Sequence, residues 1–168
     1  MVRSIGISTF SCKKVQDLLS FCRIKPAVHQ TELHPYLQLW DLKELCEKNG
    51  ITMMAYYPLG GAAMMDKEDC LLKNSTIMEI AENHHKTPAQ VLIRWCIQRG
   101  VIAIPKSVHM NRVEENGQVF DFELSEDEMQ TIRNMDRCKR YSLPYVILSS
   151  SNDSCENYFD NEHMFNIC

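Results

Sequence analysis

Four short apolar runs of β type alternate with segments whose apolar residues recur at helical spacing, and this alternation is the strongest constraint on the fold. The runs begin near Ser4 (RSIGIS), Ala27 (PAVHQTEL), Ile51 (ITMMAYYPLGG) and Val101 (VIAIP). After the first, Val15, Leu18, Leu19 and Cys22 fall at i, i+3, i+4 and i+7, one face of a helix. After the second, Leu39, Leu42, Leu45 and Cys46 mark another helical face, and Gly50 suits the position just past its end. Two helical segments follow the third run. In STIMEIAENHH, Ile77, Ile80 and Ala81 share a side; TPAQVLIRWCIQRG opens on Thr87 as N-cap with Pro88 at N1 and closes at Gly100. NRVEENGQVF follows the fourth run, and a last helix starts at Ser125, with Glu128 three residues on as a capping box. Strands alternating with helices imply βαβ units on a parallel sheet, an α/β fold.

The 168 residues suit one domain or most of one. With 45% hydrophobic and 24% charged residues the chain can bury a core and is not a disordered composition. A net charge of −4 provides no global basic field, so no nucleic-acid partner is expected. No apolar run approaches the ~18 residues that span a bilayer, so no membrane partner is expected either. The start of the chain carries no secretory h-region. Several of the eight cysteines (Cys12, Cys22, Cys46, Cys70, Cys96, Cys138, Cys155 and Cys168) sit in apolar helical patterns, and none form C-x-x-C. Reduced thiols and a cytoplasmic location are the expectation. His84 and His85 are adjacent but have no Cys pair near them, so no metal site is expected. From about Leu148 the chain turns polar and irregular. Residues 1–148 are therefore expected to form the folded unit, and 149–168 a tail or loop.

In parallel α/β sheets, ligands bind at the carboxyl ends of the strands. Collected there are Ser8 and Thr9, Gln30 and Glu32, Tyr56 and Tyr57, then Lys106 and Ser107, with Arg112 on the next helix's first turn. A lysine point charge, an arginine fork and free helix N–H groups together suit a phosphate. Tyr56 suits stacking on a flat heterocycle. The plainer alternatives are that Lys106 and Arg112 are solvated surface charges, Tyr56 a core aromatic, and Gln30 a partner for backbone groups. His34-Pro35 reads as a structural turn rather than a catalytic base. The residues by themselves describe an α/β nucleotide binder.

The motifs SIGISTF, KPAVHQTELHPYL, AYYPLGG, TPAQVLIRW, IPKSVHMNRVEEN and VFDFELSEDEM resemble those of the aldo-keto reductases, in that family's order, over about residues 3–140. The resemblance implies a (β/α)8 TIM barrel that binds NADPH without a Rossmann domain and reduces aldehydes and ketones to alcohols. It implies a cofactor site of Ser8, Thr9, Gln30, Tyr56, Pro58, Leu59, Lys106, Ser107, Val108, Arg112, Glu115 and Asn116. Lys106, Ser107 and Arg112 would take the adenosine 2′-phosphate, Arg112 would also stack on the adenine, and Glu115 and Asn116 would hold its edge. Tyr56 would stack on the nicotinamide, and Ser8 and Gln30 would bond its carboxamide.

The sequence also departs from that pattern. Thr9 and His29 stand where the family usually has Asn, Gly117 sits in the helix after Asn116, and AAMM follows YYPLGG without an acidic residue. Met1 falls just before what resembles the fifth barrel strand. Four strand–helix units are therefore expected, half a barrel plus a C-terminal tail, without the family's catalytic Asp, Tyr, Lys and His. No catalytic residue is assigned. The implied partners are NADPH, a small carbonyl substrate if an N-terminal half completes the site, and other chains through open barrel edges. A non-catalytic NADP(H)-binding or interaction fragment is the alternative reading.

Overall fold

The computed structural model describes residues 2–61 and 69–142, and within them four strands form one parallel sheet in sequence order. The strands are β1 (Gly6–Ser8), β2 (Val28–Glu32), β3 (Thr52–Tyr56) and β4 (Ile102–Ala103). Helix α1 (Cys12–Phe21) links β1 to β2, and α2 (Trp40–Lys48) links β2 to β3. A 3-10 turn (Leu71–Lys73), α3 (Ser75–Asn83) and α4 (Pro88–Gln98) separate β3 from β4, and α5 (Met110–Gly117) and α6 (Glu126–Arg133) follow. This is the partial TIM barrel expected: consecutive strands pair parallel, as βαβ units dictate.

Local chemistry starts the helices where the sequence places them. Ser11 accepts the Lys14 N–H to open α1. Thr87 with Gln90, and Ser125 with Glu128, form reciprocal capping boxes on α4 and α6. Gly100 closes α4 at φ +73, a left-handed conformation that glycine adopts without strain.

Side chains alternate across the sheet. His29, Thr31, Met53 and Ala55 are buried on the helix side, in a core with Val15, Cys46, Ile77, Leu92, Trp95 and Ile132. α4 runs through the middle of that core and buries all seven residues from Gln90 to Cys96. The opposite sheet face is open: Ser8 is exposed, and Ile102 and Ile104 are 43 and 38% exposed. Among the described residues β1 and β4 each pair on one edge only.

Three expectations change. The VIAIP run is a strand only at Ile102–Ala103, though Ile104 continues the ladder by donating to the Ala55 carbonyl at 3.1 Å. Leu39 is not on the helical face of α2; it is the N-cap, at φ +52. Cys12, Cys22, Cys46, Cys70 and Cys96 form no disulfide, but Cys138 is disulfide-bonded, for which its spacing gives no local signal. The expected tail, residues 149–168, lies outside the described residues.

Candidate functional site

The register builds the site. Ser8 pairs with Gln30, Gln30 with Met54 and Met54 with Ile102, so these four lie in one row across the sheet. Paired residues of a parallel sheet share a face, and this row lies on the open one. Glu32 and Tyr56 form the next row on that side, toward the carboxyl ends. Ser8 Oγ lies 3.2 Å from Thr9 Oγ1, and Gln30 donates its amide to the Met54 sulfur at 3.2 Å. The motif reading passes over Met54. The alternation M-A-Y, which puts residues 54 and 56 on the same face, is the signal that finds it.

Two strand ends turn sharply. Thr9 sits at φ +57 while its N–H donates to the Gln30 carbonyl at 2.9 Å; Tyr57 sits at φ +54 beside Tyr56, ring centroids 5.3 Å apart and edge-on. The turn that follows closes with Gly60 N–H donating to the Tyr57 carbonyl at 2.8 Å, and it buries Pro58 and half-buries Leu59. Gly61, at φ +72, lies flat against the Tyr57 ring, and a Cβ there would come within 2.8 Å of ring atoms.

The β4 end carries the charges. Lys106, Val108 and Arg112 are exposed, and among the described residues neither cation makes an ion pair. The Ser107 hydroxyl accepts the His109 N–H at 3.1 Å, turning the chain into α5. No side chain caps the α5 N-terminus and no acidic residue lies in its first turn, so its positive end is open. Asn116 is half-buried, and Glu115 already accepts a hydrogen bond from the Thr87 hydroxyl at 2.7 Å.

Two histidines belong to the frame. His29 accepts the Phe10 N–H at 3.0 Å; burial, with the Arg140 charge behind it, lowers its pKa to about 4. His34 opens a turn closed by mutual backbone bonds with Leu37 and bonds Glu32 at 3.0 Å. Among the described residues there is no group of three or more His, Cys, Asp or Glu that could hold a metal, and no helix long and apolar enough to cross a membrane.

The model of the aldo/keto reductase family matches residues 1–137, over the strands and helices that carry this site. The chain belongs to the aldo/keto reductase family. Among its curated relatives are aldo-keto reductase family 1 member A1-A of Danio rerio, 43% identical over 88% of this chain and 46% of the relative, and the 9,11-endoperoxide prostaglandin H2 reductase of Trypanosoma cruzi, 44% identical over 83% and 48%. Solved relatives include the aldose reductase of Schistosoma japonicum (TM-score 0.82, 39% identity, 96% of this chain and 49% of that one). Another is an aldo-keto reductase in complex with NADPH (TM-score 0.81, 30% identity, 95% and 47%). The chain thus spans about half the length of the relatives it matches.

Proposed function

We propose that this chain is the cofactor-holding part of an NADPH-dependent aldehyde and ketone reductase, and that the 168-residue polypeptide by itself binds NADP(H) without turning over carbonyls. The observation that carries the reading is the pair of exposed cations, Lys106 and Arg112, beside the uncapped N-terminus of α5. Ser107 and Val108 complete that end of the site. Such an arrangement fits a phosphomonoester, because a point charge, a planar fork and free N–H groups converge with no competing carboxylate in the helix's first turn. Ser8, Thr9 and Gln30 offer hydroxyls and an amide for a carboxamide, and Tyr56, with Pro58 and Leu59 beside it, offers a ring face. When bound, the cofactor supplies hydride.

Hydride transfer leaves negative charge on the carbonyl oxygen, which needs a proton donor held against it. The family's Asp, Tyr, Lys and His have no counterpart in this sequence, and the two nearby histidines are committed elsewhere. His34 is buried against Glu32, and His29 is held neutral by burial.

Fluorescence titration of the purified chain with NADPH and NADH, followed by assays of aldehyde-dependent NADPH oxidation, tests both halves. Preferential NADPH binding with no turnover is expected. No NADPH binding sinks the first half. Turnover near the enzyme median of ~10 s⁻¹ sinks the second.

A further inference from the structure

Helix α5 carries Arg112, Glu115 and Asn116, yet none of its eight residues is buried. A helix that short is marginal in isolation, so something other than a hydrophobic face must hold it. Its attachment is polar and lies at its C-terminal end. The Gln90 side-chain amide donates to the Glu115 carbonyl at 3.1 Å and to the Gln118 carbonyl at 3.0 Å. The Glu115 carbonyl also accepts the Gln118 N–H at 3.0 Å, and the Gln118 carbonyl lies at the C-cap, where a helix leaves carbonyls short of intrahelical partners. Thr87 adds its hydroxyl, donated to the Glu115 carboxylate at 2.7 Å.

The same two side chains cap α4. The Thr87 hydroxyl accepts the Gln90 N–H at 3.3 Å, and the Gln90 amide oxygen accepts the Thr87 N–H at 3.0 Å. Both hydrogen-bonding ends of Gln90, itself buried, are therefore used at once. The positive end of α4 also meets the negative end of α5, a favourable dipole contact.

We infer that Gln90, supported by Thr87, is a positioning residue for the adenosine 2′-phosphate end of the cofactor. It touches no cofactor. By fastening the α5 C-terminus it holds the helix formed and aimed, with its open N-terminus and Arg112 toward the phosphate. The inference rests on the proposed NADP(H) reading and deepens it.

The test uses adenosine 2′,5′-bisphosphate, which probes that end separately from the nicotinamide. Gln90→Met keeps the side chain's length and the bond from its own N–H to the Thr87 hydroxyl, but loses the bond to the Thr87 N–H and both bonds to α5. The bisphosphate and NADPH should each bind it about tenfold more weakly, given the two hydrogen bonds to α5 lost. Gln90→Glu keeps the bond to the Thr87 N–H but turns a carboxylate on the two carbonyls, and should bind more weakly still. Gln90→Asn, which retains a shorter amide, serves if the others fail to fold and should fall between wild type and Met. Amide hydrogen exchange should quicken in α5 while staying unchanged in β2 and β3, which a general loss of stability would not produce. Unchanged affinity in a folded variant, or exchange rising equally everywhere, overturns the inference and leaves the NADP(H) reading intact. Failure of the wild-type chain to bind the bisphosphate overturns both.

Discussion

The buried Glu32 carboxylate, at the end of β2, accepts the backbone N–H of Tyr141, 109 residues later, at 2.6 Å. Its other oxygen accepts the Ser142 N–H at 2.7 Å, and His34 bonds the first at 3.0 Å. The segment after α6 is strapped across the strand ends by this carboxylate. The Tyr36 carbonyl helps by accepting the backbone N–H groups of Arg137 and Lys139, and Asp69 pairs with the side chains of the same two residues.

Glu32→Gln should loosen that strap, because an amide presents an N–H to a backbone N–H and loses the charge. Hydrogen bonds to charged groups contribute about 1.5–3 kcal/mol each, so a loss of about 2 kcal/mol or more in urea unfolding is expected. Trypsin should also cut sooner after Arg137, Lys139 or Arg140. Equal cleavage rates in variant and wild type would place the strap's stability elsewhere. Burial pushes the Glu32 carboxyl up, but the His34 bond, the two backbone N–H groups and the His34 charge together hold it below its ordinary 4.5. Its stabilisation is therefore complete above about pH 4.5 and lost as the pH falls through the lower folded value.

His29 should make the fold acid-sensitive at a higher pH. Its folded pKa of about 4 lies below the ordinary 6.5, so the unfolded chain takes up a proton that the folded one refuses. Stability present above pH 6.5 declines as the pH falls toward 4, by on the order of 3 kcal/mol at ~1.4 kcal/mol per pKa unit. His29→Asn, which cannot titrate, should flatten that slope. An unchanged slope between pH 7 and 5 would assign it to other groups.

Arg112→Ala tests the phosphate clamp directly. Losing a charge-assisted bond should weaken NADPH at least about tenfold and barely alter NADH. Equal losses for the two cofactors in fluorescence titration would reassign Arg112 to the adenine ring. Lys106→Ala should follow the same pattern with a smaller effect, since an exposed point charge is well screened.

The open sheet face and two half-used strand edges should make the purified 168-residue chain associate, since parallel strands are stable when both faces are covered. Light scattering at micromolar concentration should give a mass above 19.5 kDa or a broad distribution. A sharp monomer peak with cooperative thermal unfolding would refute this.

Local features were legible in the sequence because their causes are local. The capping boxes at Thr87 and Ser125 act within three residues, and the apolar face of α3 repeats at the helical period. The parallel pairing follows from the alternation of strands and helices, the sequential strand order from the barrel that the family resemblance implies, and the positions of Lys106, Ser107 and Arg112 from the strand that precedes them. Tertiary structure decided what the polar side chains do. Gln90 reads as a capping residue until its amide is seen on the last turn of α5, 25 and 28 residues on. Glu115 reads as a free ligand for adenine until Thr87 is found on it, and Glu32 as one more strand-end polar group until the strap closes over it. A polar side chain carries the same symbol exposed or buried. Its partner is chosen by which distant backbone groups the packed elements bring within about 3 Å, and no periodicity in the chain encodes that.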